Sequence, residues 1–324
     1  MNATPDASLV LRDLTVSYHS PGRPAVRAVA GVDLRVEPGQ VVGLVGESGC
    51  GKSTLGKAAV GLLKPASGSV EFAGAPVTPL GLKPRPPAQR GLQMVFQDPY
   101  ASLNPRRKIG EQISDAVVLS GGTRADGRAL ARELLDRVGL SAEFAERFPH
   151  EFSGGQRQRI AIARVLAADP SCIVADEPIA ALDASAQASI ANLLLDLARE
   201  RGVGLLFISH DLSIVRQIAD TVAVMYLGTV VESGPTDQVW DDPRHPYSRA
   251  LISAVPRADG NGELPQDLPG DVPDPAFPPS GCRFHPRCPI AVDACADAEP
   301  EPTEFLPGRR AACSVLAPAL LKIG

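Results

Sequence analysis

Residues 41–54 read VVGLVGESGCGKST, and the architecture hangs on how they are parsed. Val41–Val45 is a short unbroken apolar run, as a strand buried on both faces of a sheet must be. Ser53–Leu63 then spaces its apolar residues as a helix does, so the glycines between them join a strand to a helix. Gly46-Glu47-Ser48-Gly49-Cys50-Gly51-Lys52-Ser53-Thr54 fits G-x-x-x-x-G-K-[ST]. Glycines let the backbone curl until several N–H groups point at one phosphate, and the helix N-terminus faces the same anion. Lys52 is placed to neutralise the outer phosphates of a nucleotide, and Ser53 to ligate Mg²⁺. Cys50, inside this loop, is either a low-pKa redox group or a tolerated small residue.

Outward from this unit, Leu9–Ser17 and Gly31–Val36 read as strands that precede it. Downstream, Cys172–Ala175, Leu205–Ser209 and Val222–Tyr226 read as strands, with helices Gln156–Ala167 and Ala186–Arg201 between them. Such alternation predicts an α/β fold with a mainly parallel sheet. Between them the chain changes character. Ile109–Leu119 and Arg128–Val138 carry helical spacing on either side of Gly121-Gly122, which predicts a helical insert over about 99–155.

Two further motifs carry chemistry. Cys172-Ile-Val-Ala-Asp176-Glu177 is an apolar strand ending in two acids. With a phosphate loop upstream, Asp176 is the expected Mg²⁺ partner, and Glu177 is placed to orient or deprotonate an attacking water. Ser153-Gly154-Gly155-Gln156 opens a helix and offers a hydroxyl and unobstructed N–H groups to an anion. A plain helix cap is the alternative. Two phosphate cradles cannot fold onto one phosphate from one chain, so the second makes sense if it serves a nucleotide held by another copy.

The succession of phosphate loop, VFQDP, SGGQ, ADEP, ALD and ISHD resembles the ATPase domains of ABC transporters over about residues 9–256. The resemblance implies a P-loop ATPase core with an antiparallel β subdomain, spanning residues 1–256. It implies that Gln97 joins core to insert near Mg²⁺ or the water, and that His210 contacts the γ-phosphate. It places Ser153, Gly154, Gly155 and Gln156 against the partner's ATP and Asp183 at the dimer seam. Tyr18 matches the aromatic that stacks on adenine, although a strand tyrosine also serves as packing. Ile179-Ala180 departs from the family, which commonly has a small hydroxyl residue after the proline.

FQDPYASLNPR (Phe96–Arg106), HPYSRALISAVP (His245–Pro256) and GCRFHPRC (Gly281–Cys288) are similar to the ATP-binding subunits of dipeptide and oligopeptide importers. Nickel importers share this group. The Pro-Tyr-Ala-Ser version resembles the second of the two ATPase subunits such importers carry. This implies hydrolysis of ATP with Mg²⁺ at the cytoplasmic face of the cell membrane, held there peripherally. The implied partners are a second ATPase subunit, two membrane-spanning permeases and an extracytoplasmic substrate-binding protein. Tyr100–Arg107 in the insert would dock a helix of the permease.

Residues 257–324 begin with a linker rich in Pro, Gly and Asp and continue into a tail holding Cys282, Cys288, Cys295 and Cys313. Four thiolates can hold a [4Fe–4S] cluster or a zinc ion. Spacings wider than C-x₂₋₄-C favour iron–sulfur, which the family's extension also implies; zinc and free thiols are the alternatives. The N-terminal MNATPDASLV lacks the basic start and apolar run of a signal peptide. No apolar run has the roughly 18 residues that span a bilayer. A net charge of −5 argues against nucleic acid as the partner, and neither a second ATPase core nor a coiled-coil insert points to a non-transport role. The intact Lys52, Asp176, Glu177 and His210 argue against a degenerate, regulatory site.

Overall fold

A computed structural model describes residues 7–22, 24–81, 85–119, 121–255 and 270–316. Much of the expected linker, 257–269, lies outside the described residues. The chain opens with β1 (Leu9–Tyr18), β2 (Val26–Val36) and β3 (Val41–Val45). Helix α1 (Lys52–Ala59) leaves the glycine loop, followed by β4 (Ser67–Phe72), β5 (Ala75–Pro76) and β6 (Leu92–Val95). The helical insert holds α2 (Pro99–Ser102), α3 (Ile109–Leu119) and α4 (Arg124–Arg137), and α5 (Gly154–Leu166) returns to the core. Alternation resumes with β7 (Cys172–Asp176), α6 (Ala184–Arg201), β8 (Gly204–Ile208), α7 (Leu212–Ile218) and β9 (Thr221–Tyr226). Then come β10 (Thr229–Pro235), α8 (Thr236–Asp241) and α9 (Pro246–Ser253), and in the tail β11 (Thr303–Leu306) and β12 (Arg309–Ala311).

Two sheets form. An antiparallel sheet runs β2-β1-β4-β5, and a larger one runs β11-β12-β10-β9-β3-β8-β7-β6. Within the larger sheet β9, β3, β8, β7 and β6 are parallel. β10, β12 and β11 add antiparallel strands at one edge. The fold class expected from the sequence is therefore the one observed.

The parallel strands are apolar throughout because both faces are covered. On β3, Val41 and Val45 pack into one core with the insert and α5–α7, while Val42 and Leu44 pack into a second beneath the antiparallel sheet and α1. β7 divides likewise, with Ile173 and Ala175 on one side and Cys172 and Val174 on the other. This period of two is the strand geometry itself.

The tail is joined to the core by more than its linker. β12 pairs with β10 through Glu232↔Ala311 and Ser233↔Arg310. Phe284 sits edge-on to Tyr226 and Tyr247, with ring centroids 5.2 and 5.4 Å away. His245 is 1% exposed, and burial lowers its pKa to about 3. As a neutral ring it accepts the Tyr247 N–H at 3.1 Å and caps α9. Among the described residues no helix is long and apolar enough to cross a membrane.

Candidate functional site

The order β3-β8-β7-β6 brings four parallel strands side by side, so the segments leaving their C-terminal ends meet at one edge of the sheet. Open α/β sheets carry their ligand sites at that edge. The glycine loop leaves β3, His210 follows β8, Glu177 follows β7 and Gln97 follows β6. With Tyr18 and the loop residues Ser48, Gly49, Gly51, Lys52, Ser53 and Thr54, these side chains line one cleft of about 600 Å³.

Loop shape depends on glycine at two points of close approach. Gly51 caps α1 at φ 111°, and a Cβ there would lie 2.0 Å from the Ala28 carbonyl oxygen. At Gly46, φ is 152° and a Cβ would lie 2.1 Å from the Met225 carbonyl oxygen. Lys52 is buried, and its ammonium donates to the carbonyls of Gly46 at 2.7 Å and Glu47 at 2.9 Å. A cation is thus fixed at the mouth of the loop. Cys50 is buried beneath it, 3.8 Å from the ammonium, and burial raises its pKa despite Lys52. A redox switch needs the opposite shift, so the tolerated-small-residue reading fits Cys50.

The Ser53 hydroxyl donates to Asp176 Oδ1 at 2.8 Å. Burial raises the Asp176 pKa, and the Ser53 hydrogen bond opposes that rise. Next to it, Glu177 adopts φ 47°, a left-handed conformation unusual for glutamate, and its N–H donates to the Ile208 carbonyl at 3.0 Å. Its carboxylate is buried and lies 2.8 Å from His210 Nδ1. Strain of this kind persists where the surroundings over-determine a conformation, often at functional sites. Tyr18 stands at the rim, its hydroxyl 3.2 Å from Thr54 Oγ1.

Ser153 accepts the Gln156 N–H, and Gln156 Oε1 accepts the Ser153 N–H at 3.0 Å, a capping box at the start of α5. Asp183 caps α6 by accepting from Ala186 at 2.9 Å. Ser153 and Asp183 are exposed, and none of Ser153, Gly154, Gly155, Gln156 or Asp183 lines the cleft. Of the sequence-predicted residues, one group lines the cleft, Gly46, Cys50 and Asp176 contact Lys52 or Ser53 of its wall, and Ser153–Gln156 and Asp183 lie outside it. The cleft wall also includes Val26 and Ala28 of β2 and Pro275 of the tail, which carry no motif.

The tail cysteines approach one another. The Cys282 N–H donates to the Cys295 carbonyl at 2.8 Å. Burial raises the Cys282 pKa, and Cys295, Cys313 and Cys288 raise it further. Yet among the described residues no three His, Cys, Asp or Glu side chains form a group that could hold a metal ion. The described residues therefore do not support the metal centre expected from the spacings, iron–sulfur or zinc.

Comparison with known proteins places these features. Residues 29–180 match the family described as ABC transporter, and residues 231–295 match the oligopeptide/dipeptide transporter C-terminal region. A probable peptide ABC transporter ATP-binding protein of Sinorhizobium fredii is 48% identical, covering 97% of this chain and 91% of that protein. The di/tripeptide transport ATP-binding protein DppF of Pseudomonas aeruginosa is 45% identical, covering 94% of this chain and 96% of its own. Among solved structures, the dimeric bacterial ABC transporter cassette MJ0796 superposes with a TM-score of 0.64 at 28% identity, over 70% of this chain and 98% of that one. The cbiO1 chain of Clostridium perfringens, part of the ABC transporter complex cbiONQ, gives 0.60 at 28% identity, over 73% of this chain and 92% of its own. Fold, cleft and likeness agree: this chain belongs to the ABC transporters as an ATP-hydrolysing subunit that carries the oligopeptide/dipeptide transporter C-terminal region.

Proposed function

We propose that this chain powers a peptide importer, working as one of two ATPase subunits beneath a pair of membrane permeases. The observation that carries this reading is the division of the site residues. The cleft holds one set of phosphate-binding groups, and the start of α5, together with Asp183, presents a second set away from it. A second subunit in opposed orientation brings its α5 over this cleft, and ATP completes the contact. ATP then favours the closed pair only through its better fit to that state, and hydrolysis reopens it.

Within the cleft, Lys52 and the loop N–H groups bind the phosphates, and Tyr18 packs on the adenine. The residues fit Mg²⁺: a serine hydroxyl and a carboxylate already 2.8 Å apart are the hard oxygen donors it takes. Ser53 and Asp176 would hold the ion, with Gln97 in the same cleft, and it would supply neutralisation of phosphate charge. Glu177 orients and deprotonates the attacking water, and His210 contacts the γ-phosphate.

A groove of about 1080 Å³ lies between the core and the insert, lined by Leu103, Asn104, Arg106, Arg107 and Leu119 among others. Arg107 is forked on Asp115 at 2.6 and 2.9 Å, which stiffens its floor. In this proposal it receives the permease helix and holds the chain peripherally at the inner membrane face. The partner ATPase is a paralogue, and a substrate-binding protein delivers the cargo. The names of these similar proteins speak of peptides rather than nickel. Reconstitution with the neighbouring permeases and binding protein in vesicles tests the reading. ATP-dependent peptide uptake is expected, whereas uptake of Ni²⁺ without peptide would reassign the cargo.

For the tail, a [4Fe–4S] cluster is the finer proposal, supported by cysteine spacing and convergence and opposed by the lack of a metal-holding group. Iron and acid-labile sulfide measured on anaerobically purified protein decide it. About four of each per chain is the cluster's signature; metal-free protein that still hydrolyses ATP removes it.

A further inference from the structure

One side chain of the tail reaches the phosphate loop. Arg287, in a short 3₁₀ turn at His285–Arg287, is 4% exposed at its side chain, and its guanidinium is forked on Glu47. Nη1 donates to Oε2 at 2.8 Å and Nη2 to Oε1 at 3.0 Å. Nη1 also reaches the Tyr226 hydroxyl at 3.4 Å. Glu47 is the second residue of the loop, and each of its polar groups is committed. Its N–H donates to the Tyr247 hydroxyl at 2.8 Å and its carbonyl accepts from Lys52 at 2.9 Å. Neither Glu47 nor Arg287 lines the cleft.

A carboxylate on a phosphate-binding loop is a liability. Free to turn, it would repel the triphosphate and compete for Lys52. A planar guanidinium that meets both carboxylate oxygens fixes the carboxylate's direction as well as cancelling its charge. We propose that Arg287 is a positioning residue for ATP binding, holding Glu47 outside the cleft and neutral as a pair, so that the tail sets the affinity of the loop. The support is continuous with the core. Phe284, three residues before Arg287, packs on Tyr226 and Tyr247, and Arg283 donates to the Leu227 carbonyl. Pro275 of the same tail forms part of the cleft wall. Folding of the tail and occupancy of the loop are thereby coupled.

This inference rests on the cleft being the ATP site, and the test separates the two. Equilibrium titration of the full-length chain with a fluorescent N-methylanthraniloyl ATP gives Kd for the wild type, Lys52→Ala, Arg287→Met, Glu47→Gln and the double variant Glu47→Gln/Arg287→Met. Arg287→Met should weaken binding by about tenfold or more, and adding salt should narrow the gap because the penalty is electrostatic. The double variant should return to within about threefold of the wild type, because without the carboxylate nothing needs neutralising. Damage to the tail alone would not be repaired by altering Glu47. Wild-type-like binding by Arg287→Met, or a double variant as weak as the single, overturns the inference. If Arg287→Met does not fold, Arg287→Lys, which keeps charge and loses the fork, decides by the same rescue. A wild type that binds no better than Lys52→Ala overturns the ATP-site reading itself.

Discussion

Glu177→Gln should lower ATP turnover by about two to four orders of magnitude, the span that a positioned general base contributes, while ATP binding stays close to that of the unaltered chain. The two effects separate because the Lys52 ammonium is held by the Gly46 and Glu47 carbonyls, whereas Glu177 is hydrogen-bonded to His210. Its backbone is fixed by the Ile208 carbonyl and its carboxylate by His210 at 2.8 Å. Glutamine keeps the shape and one oxygen, so the His210 contact survives, but it cannot take a proton. Removing the negative charge also relieves repulsion with the γ-phosphate. The expected species is a pair of chains locked around unhydrolysed ATP, seen as an ATP-dependent dimer by size-exclusion chromatography. Single-turnover hydrolysis measures the loss directly. Turnover within about threefold of the wild type would take Glu177 out of the proton-transfer role. His210→Ala then becomes the informative comparison, because it removes the nearest titratable partner of that carboxylate.

The parts of this site that were legible in the sequence are those whose local backbone dictates residue type. Gly46 and Gly51 stand where a Cβ would strike a carbonyl oxygen, so the loop could not be written otherwise. β3 and β7 are continuous apolar runs because both faces are buried, and their bounds were readable almost to the residue. β2 begins five residues before the expected Gly31, because its pairing with β1 shifts register more than once and blurs the alternation. β11 and β12 escaped detection altogether. They are four and three residues long, and the pair is anchored through β12 on the distant β10 rather than by a local pattern. The same reason hid Arg287, whose partner Glu47 lies 240 positions away. Cysteine spacing alone does not decide a metal centre. It counts residues along the chain, whereas a metal requires donors at fixed distances in space.

Glu232→Ala should be strongly destabilising, by about 3–5 kcal/mol, the cost of breaking a buried ion pair by removing one partner. The Glu232 side chain is 0% exposed and that of Arg309 is 3% exposed, with Nη2 3.5 Å from Oε1. The same carboxylate accepts the N–H groups of Arg244 at 2.9 Å and His245 at 2.8 Å, so alanine leaves those donors without it as well. Glu232→Gln keeps the volume and one oxygen and should fall between the two. Glu304→Ala is the control: Glu304 meets Arg310 on the same small strand pair, but that bridge is exposed at both ends, and its loss should leave the urea midpoint unchanged. Because Arg309 belongs to β12 and Glu232 to β10, the pair locks the tail strands to the ATPase sheet. Glu232→Ala should therefore weaken ATP binding along with stability, through release of the Arg287 contact, although Glu232 itself lies outside the cleft. Urea unfolding in parallel with the nucleotide titration separates the possibilities. A stability loss with unchanged ATP affinity would show that the tail holds its place on the loop without β12, and an unchanged urea midpoint would show that the pair does not lock it at all.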